Sequence, residues 1–381
     1  MAADLHLPHQ LSSAYKTLTA QCHCKSVHFT VGVPTSALPL PVHLCHCSIC
    51  RYTHGTLCSF HAPLPKGVEP DFVAPSSIES SLTGYIHSPQ AASERFFCTT
   101  CGCHIGDRDL TPDPDTGKPE WRVATSIFTA TDDDTFQIRS HCFTTPSTEP
   151  NLATWLPSLA GGRALHTWNP QPGDPQFPLA SDRPPVPVIN PDDRSKNLLT
   201  AQCHCASVRF TIAPPADREA AHPLLSRYLR ASAPRPRRQT AAAPTTTTTP
   251  LRAPTGPTTL KRVACLCLCR DCRLTSGAHA VGWTFVPASA IRPALSAEPG
   301  LELEGVGGAA MRVYRSSEGV RRGFCGRCGA TVFYVADAEE RVSREDGERV
   351  VDVAVGVLRD WEGRVGVERF EIPQEVSEES V

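Results

Sequence analysis

Two segments of the chain repeat each other almost residue for residue. Residues 18–30 read LTAQCHCKSVHFT and residues 199–211 read LTAQCHCASVRFT, so eleven of thirteen positions agree. Each segment is followed by a Cys-x-Cys-x-x-Cys-Arg motif and then by a Phe-Cys-x-x-Cys-Gly motif. Seven cysteines therefore recur in one order, as Cys22, Cys24, Cys45, Cys47, Cys50, Cys98 and Cys101 and again as Cys203, Cys205, Cys267, Cys269, Cys272, Cys325 and Cys328. Such a duplication predicts two homologous tandem domains.

The repeat also sets the domain boundaries that we predict. A flexible leader at 1–15 precedes the first domain at 16–169. The proline-rich segment at 170–195 is typical of a linker, and the second domain follows at 196–381.

The second domain contains a long insertion. Cys24 and Cys45 are 21 residues apart, whereas Cys205 and Cys267 are 62 residues apart. The additional residues fall at about 217–262, where arginines and a threonine run show no sustained apolar period, so we expect disorder there. A basic interaction arm, a solvated insertion without function and a mis-spliced gene model all agree with this composition.

Strand patterns dominate both domains. Apolar and polar residues alternate in 27–31 and in 207–212, as expected of half-buried strands. The segments 280–286, 331–335 and 350–357 are rich in β-branched and aromatic residues. With 36 prolines and no long helical period, the chain is predicted to be mostly β.

Composition narrows the classes of function. Charged residues make up 20% of the chain and the net charge is −2, so a nucleic-acid partner is not expected. The first residues show no basic start with an apolar segment, and no stretch of about 18 apolar residues occurs, so a membrane partner is not expected either. We therefore predict a cytoplasmic, reducing location, where thiol clusters are more often metal sites than disulfides.

Seven thiols per domain predict two kinds of zinc site. A structural site is closed by four ligands, whereas a catalytic site offers three and leaves a position for water or substrate. Cys22 and Cys24 would point the same way from a strand, and the Cys98-x-x-Cys101 turn would complete a closed site. The equivalent closed site uses Cys203, Cys205, Cys325 and Cys328. The thiols that remain form two open tripods, namely Cys45, Cys47 and Cys50 in the first domain and Cys267, Cys269 and Cys272 in the second.

This allocation predicts up to two zinc ions per domain. Disulfides and packed thiols are the alternatives to a metal, and His46 or a distant residue could close the first tripod. Four cysteines stay outside the sites and are expected to be ordinary thiols: Cys58, Cys103, Cys142 and Cys265.

An open site of three thiolates suits one kind of chemistry in particular. Three negative ligands leave a doubly charged ion with a net negative site, which weakens its action as a Lewis acid on water. The same site can bind a further thiol, which coordination deprotonates, and a bound thiolate is a nucleophile for a carbonyl. We therefore predict that the protein acts on a small-molecule thiol.

The motifs resemble those of the glutathione-dependent formaldehyde-activating enzyme family, which shares its domain with centromere protein V. The matching segments are CHCKSVHF at 22–29, CHCSICR at 45–51, FCTTCG at 97–102 and a closing His141-Cys-Phe143 that is followed by Trp155. The resemblance implies a mostly β fold of several coiled antiparallel sheets, with one structural and one catalytic zinc per domain. It also implies a carbon–sulfur lyase that joins glutathione, its substrate, to formaldehyde as S-hydroxymethylglutathione.

The two domains depart from the family pattern to different extents. Both carry one extra residue after the second cysteine, at Lys25 and at Ala206. The second domain has Leu268 where the first has His46, and it lacks the closing His-x-Phe motif. If a single tripod is active, we expect it to be the first.

Two further residues are candidates for the site. Arg51, directly after the third thiol, could bind a glutathione carboxylate through two hydrogen bonds, and an exposed arginine without a role is the alternative. His46 could act as an acid or base or donate to a sulfur, and ordinary packing is the alternative. For the whole protein, the alternative to a lyase is a zinc-stabilised binding module without catalysis. The sequence does not specify the oligomeric state.

Overall fold

The computed structural model describes residues 14–144, 152–170, 198–232, 259–293, 306, 308–359 and 370–371. These residues are mostly β-strand with a few short helices, which confirms the predicted fold class. The leader up to residue 13 and the linker from residue 171 to 197 lie outside the described residues. None of the described helices is long and apolar enough to cross a membrane.

The strands of the first half form two sheets. They are β1 (Tyr15–Gln21), β2 (His28–Pro34), β3 (Leu40–Cys45), β4 (Ser59–Pro63), β5 (Asp71–Phe72), β6 (Leu82–Tyr85), β7 (Ser93–Cys98), β8 (His104–Asp109), β9 (Trp121–Ala124), β10 (Phe136–Cys142) and β11 (His166–Trp168). A small sheet has the order β1-β2-β5, and a large one has the order β11-β10-β3-β4-β9-β8-β7-β6. β10 is parallel to β3 and pairs with it as far as Cys45. It therefore flanks the start of the triple-thiol motif.

The second half repeats this arrangement with variations. Its described strands are β12 (Leu199–Gln202), β13 (Arg209–Ile212), β14 (Leu229–Ser232), β15 (Thr259–Cys267), β16 (Val281–Pro287), β17 (Ile291–Pro293), β18 (Met311–Ser317), β19 (Val320–Cys325), β20 (Thr331–Ala336), β21 (Val350–Ala354), β22 (Leu358–Arg359) and β23 (Phe370–Glu371). One sheet has the order β17-β13-β12-β22, and the other has the order β14-β15-β16-β21-β20-β19-β18 with β23 beside β15.

Helices are short in the described residues. The α-helices are α1 (Ser48–His54), α2 (Ile78–Ser81), α3 (Leu152–Trp155), α4 (Asp217–Ala221) and α5 (Arg270–Ser276). The 3₁₀ turns are Thr35–Ala37, Thr125–Ile127, Ala160–Gly162, Ser226–Tyr228, Ala288–Ala290, Gly308–Ala310, Glu339–Arg341 and Val355–Val357. α1 and α5 occupy equivalent places, because each begins within a triple-thiol motif.

Strand burial follows the residue pattern. In β2 the side chains of Phe29, Val31 and Val33 are fully buried, while the residues between them are more exposed. Each such side chain contributes roughly 1.5–3 kcal/mol by leaving water. In β21 all five residues are buried, so this strand is covered on both faces.

The two halves pack against each other with approximate two-fold symmetry. The backbone N–H of His23 donates to the carbonyl of Leu274 at 3.0 Å, and that of His204 donates to the carbonyl of Tyr52 at 3.1 Å. The two histidines occupy equivalent positions of the repeat, as do Tyr52 and Leu274. The same surface patch on each half thus contacts its copy, as in a two-fold dimer.

A single cluster of buried apolar side chains runs through both halves. Phe97 meets Phe324 edge to face across the boundary, with ring centroids 6.5 Å apart. Because the halves share one core, each stabilises the other. The domain boundaries that we placed at 16–169 and 196–381 stay a prediction.

The expected disorder at about 217–262 is wrong for both ends of that segment. α4, β14 and the start of β15 are ordered there, and Arg262 donates to the Glu219 carboxylate in a buried ion pair. Leu224 and Leu225 pack on Val350, which removes apolar surface from water. Burial of Arg262 also removes one cation from the proposed basic arm. Residues 233–258 lie outside the described residues.

Candidate metal centres

Four clusters of thiols lie in the described residues, two in each half. Cys24 Sγ lies 3.5 Å from the Sγ atoms of both Cys22 and Cys98. In the second half, Cys205 Sγ lies 3.5 Å from that of Cys203 and 3.6 Å from that of Cys325. All four Sγ atoms in each closed cluster lie within 4.8 Å of one another, with Cys101 or Cys328 as the fourth.

These distances fit a tetrahedral zinc ion. Zinc–sulfur bonds of about 2.3 Å place tetrahedral sulfurs about 3.8 Å apart, whereas a disulfide requires about 2.05 Å between its sulfurs. The eighteen cysteines are all unpaired. The four thiols of each closed cluster could therefore hold a zinc ion.

The local backbone brings the closed-site thiols together in a way that we did not predict. β1 ends at Gln21, so Cys22 and Cys24 lie in a tight turn and not side by side on a strand. Lys25 has a φ of 66°, in the left-handed region where a side chain is disfavoured by roughly 1–2 kcal/mol. Its equivalent, Ala206, has a φ of 59°. The expected strand geometry for these cysteines is therefore wrong, and the turn replaces it.

The open tripods are formed at the junction of a strand and a helix. Cys45 ends β3, Cys47 precedes α1 and accepts a hydrogen bond from the backbone N–H of Cys50 at 3.3 Å, and Cys50 lies in the first turn. α1 ends at Gly55, whose φ is 72°. A Cβ there would lie 2.0 Å from the carbonyl oxygen of Thr331, so only glycine fits.

The second tripod repeats this construction. Cys269 Sγ accepts from the backbone N–H of Cys272 at 3.4 Å and lies 3.3 Å from Cys267 Sγ. α5 ends at Gly277, where a Cβ would lie 2.2 Å from the carbonyl oxygen of His104. Among the described residues, no fourth cysteine, histidine or carboxylate joins either tripod.

Hydrogen bonds among the thiols separate their pKa values. Cys45 and then Cys47 donate to the Cys50 thiolate, which lowers the pKa of Cys50 well below its usual value. In the second tripod, hydrogen bonds from Cys267 and Cys272 lower the pKa of Cys269 to about 2. Each tripod thus holds an anionic sulfur, which is the form that binds a soft metal.

An arginine that sequence reasoning missed lies beside the third thiol of each tripod. Arg322 Nη1 donates to Cys272 Sγ at 3.5 Å, and Arg95 takes the equivalent place beside Cys50. Burial alone would lower the pKa of Arg95, but the Cys50 thiolate and Asp107 raise it. Both arginines precede the first cysteine of the Phe-Cys-x-x-Cys-Gly motif by three residues, so the repeat itself contained the signal.

His46 is fully buried and faces the closing segment of the first half. Its Nε2 lies 2.9 Å from His141 Nδ1, and His141 Nε2 donates to the Leu156 carbonyl at 2.8 Å. Burial is the main cause that lowers the pKa of His46 to about 3. His46 is therefore neutral near pH 7 and packs against β10.

Arg51 is buried too, with 4% of its surface exposed. Its Nε donates to the carbonyl of His46 at 2.9 Å and so ties α1 to the loop that precedes it. The alternative of an exposed arginine is wrong, because the side chain packs against the loop before α1 and is shielded from solvent. Binding of a glutathione carboxylate by Arg51 stays a prediction, and its burial argues against it.

A chain of buried polar side chains lies behind the first tripod. His54 Nδ1 donates to the Cys50 carbonyl at 2.9 Å, which leaves Nε2 of His54 to accept from His61 at 3.3 Å. His61 Nδ1 lies 3.1 Å from Asp107, which also binds Arg122 at 2.7 Å. Burial alone would raise the pKa of Asp107, but His61 and Arg122 outweigh it and lower that pKa. No short motif indicated this network.

A family model, the glutathione-dependent formaldehyde-activating enzyme, matches residues 17–145 and 255–365. The two matches cover more than half of the chain, and they include twelve of the fourteen clustered cysteines, all except Cys203 and Cys205. A comparison with curated proteins found no significant match. The chain belongs to the glutathione-dependent formaldehyde-activating enzyme family.

Proposed function

We propose that the protein is a zinc-dependent carbon–sulfur lyase that acts at the first tripod. It joins glutathione and formaldehyde to S-hydroxymethylglutathione and reverses this reaction. In the forward direction the glutathione sulfur forms a bond to the formaldehyde carbon, and the proton of the thiol ends on the former carbonyl oxygen. Membership of the family supports a reaction of glutathione with formaldehyde.

The observation that carries the proposal is the three-thiol cluster of Cys45, Cys47 and Cys50, which no fourth donor joins among the described residues. Three protein ligands leave one tetrahedral position for a substrate. A zinc ion bound there would keep a substrate thiol deprotonated at neutral pH. This arrangement favours the enzyme over a binding module, in which a fourth ligand would fill that position.

The residues around the tripod supply a positive charge and hold the loop that carries the thiols. Arg95, beside Cys50, offsets part of the negative charge of three thiolates. β10 and His141 cover one side, and Arg51 braces the loop from below. We propose that a water molecule protonates the product oxyanion, because His46 is neutral, fully buried and already paired with His141.

The test is exchange between formaldehyde and its glutathione adduct, measured above the uncatalysed rate. Wild type, Cys47→Ser and Cys269→Ser are compared at equal zinc loading. We expect Cys47→Ser to lose the acceleration and Cys269→Ser to keep most of it. If all three proteins match the rate without enzyme, and glutathione does not perturb the metal, the lyase proposal fails and the binding module replaces it.

A further inference from the structure

We propose that the second half positions the first tripod, with His204 and Arg359 as positioning residues that act through Tyr52. The inference rests on the first tripod being the working site, but it concerns residues that contact neither the metal nor a substrate. It also assigns a role to the second half that does not depend on the second tripod.

The first contact comes from the turn of the closed site in the second half. His204, between Cys203 and Cys205, donates its backbone N–H to the carbonyl of Tyr52 at 3.1 Å. Tyr52 lies two residues after Cys50 in α1. The His204 ring is held from the other side by the hydroxyl of Tyr85, which lies 2.8 Å from its Nδ1. The closed-site turn of the second half therefore contacts both α1 and β6 of the first half.

The second contact is a buried cation. The guanidinium of Arg359 lies 3.1 Å from the ring centroid of Tyr52, and 2% of the residue is exposed. Its Nη1 donates to the Gly356 carbonyl at 2.8 Å, and its Nη2 donates to the carbonyl of Gln202. Since Gln202 directly precedes Cys203, one side chain links the closed-site turn to the helix of the first tripod. Desolvation of a guanidinium is costly, so hydrogen bonds and the ring contact must offset it.

Close backbone packing leaves little freedom at the end of the same helix. A Cβ on Gly356 would lie 2.2 Å from the carbonyl carbon of Gly55. Gly55 also meets Thr331, as described above. A shift of the second half at this point would therefore move α1, and with it Cys50.

The first half contacts the helix of the second tripod in the equivalent way, but without a buried cation. Thr129, which follows the 3₁₀ turn Thr125–Ile127, occupies the place equivalent to Arg359 and is exposed. His23 donates to the Leu274 carbonyl and lies 3.4 Å from Asp271, whose side chain is half exposed. The backbone N–H of His23 meets the helix of the second tripod as that of His204 meets the helix of the first, so His23 is the matched control for His204.

The test uses the full chain in a Cys269→Ser background, so that the second tripod does not contribute. Cobalt replaces zinc, and two quantities are followed by thiolate-to-cobalt absorption: the rate of metal release to a chelator and the change on titration with glutathione. Arg359→Met and His204→Ala are compared with His23→Ala. Loss of a residue that orients metal ligands costs about 10–100-fold in metal affinity.

We expect Arg359→Met to release the tripod metal at least about tenfold faster and to weaken glutathione binding, while the slow release from the closed site of Cys22, Cys24, Cys98 and Cys101 is unchanged. His204→Ala keeps the backbone N–H that meets the Tyr52 carbonyl but removes the ring that meets Tyr85, so it should act in the same direction more weakly. It serves as the test if Arg359→Met does not fold. His23→Ala should match the parent. Equal release from the tripod in Arg359→Met and the parent would overturn the inference, as would equal release in His204→Ala if Arg359→Met does not fold. The same acceleration in His23→Ala would overturn it as well. If glutathione does not bind the parent at all, the lyase proposal fails, and the metal-release comparison still decides the positioning role.

Discussion

The two tripods share their ligands and differ in their surroundings. In the first half, β10 pairs with β3 up to the first thiol, and His46 is fully buried against His141. In the second half, Leu268 replaces His46 and has 58% of its surface exposed, and Cys269 is exposed as well. Both halves therefore keep the cysteines of the family, but the second tripod is more exposed to solvent than the first.

The buried side chains next to each tripod also differ between the two halves. The first half places His54, His61 and Asp107 in a hydrogen-bonded chain that starts at Cys50. The equivalent positions of the second half hold Ser276, Trp283 and Tyr334, and Trp283 packs near Tyr334. Each half keeps its arginine beside the third thiol. The thiol cluster and the arginine beside it are thus common to both halves, whereas in the described residues the polar chain lies in the first half.

The largest effect should come from the closed sites, in which the halves are equivalent. Structural zinc contributes roughly 10–16 kcal/mol of apparent binding energy, which matches or exceeds the whole stability of a typical domain at about 5–15 kcal/mol. Cys101→Ser and Cys328→Ser should therefore each cause loss of folded structure, and Cys47→Ser should not. Circular dichroism and hydrogen exchange measure this. Equal loss of structure in Cys47→Ser would mean that the first tripod is structural as well.

Metal content should separate the two tripods next. Purified under reducing conditions, the chain should bind up to four zinc ions, two per half, by elemental analysis. The exposed second tripod should lose its ion to a chelator first, and Cys269→Ser should remove that fast phase. A content of two ions that stays the same in Cys47→Ser and Cys269→Ser would contradict open sites in both halves.

Replacing the arginine beside the third thiol should have a smaller effect, and activity should fall only when the arginine of the first half is replaced. Arg95→Ala should lower the exchange activity by about 10–100-fold, because it removes the cation that offsets the thiolate charge at the first tripod. Arg322→Ala should leave activity within about twofold of wild type and only speed metal loss from the second tripod. Equal loss of activity in both variants would argue that both tripods are active.

A lower pH should reduce the free energy of unfolding, because a buried histidine of the first half is neutral in the folded chain. Burial lowers the pKa of His104 to about 3, so the unfolded chain binds this proton more readily than the folded chain does. Its stabilising effect is therefore complete above the unfolded pKa of about 6.5 and is lost as the pH falls from there toward 3. Between pH 7.5 and 5.5, wild type should lose about 1 kcal/mol more than His104→Asn in urea unfolding with saturating zinc. Parallel pH profiles would show that His104 is not responsible.

The features that depend on local spacing could be predicted from residue order. The duplication, the strand patterns and the groups of thiols were all evident from residue order, because a Cys-x-x-Cys turn or an alternating strand is decided by near neighbours. The loss of the closing His-x-Phe motif likewise indicated that the second tripod differs. We did not predict the turn at Lys25. Two cysteines that are two residues apart can meet in a tight turn as well as on one face of a strand.

The contacts between groups far apart in the chain became visible in the folded protein. Arg95 reaches Cys50 from a strand far along the chain, and Arg51 folds under its helix instead of reaching solvent. Arg359 lies on Tyr52 of the other half, although nothing in their spacing relates them. Sequence period reports which face of an element is apolar, but the partner of that face is chosen by packing of the whole chain. For that reason the grouping of the thiols could be predicted from the sequence, and the residues of the other half that contact the helix of each tripod could not.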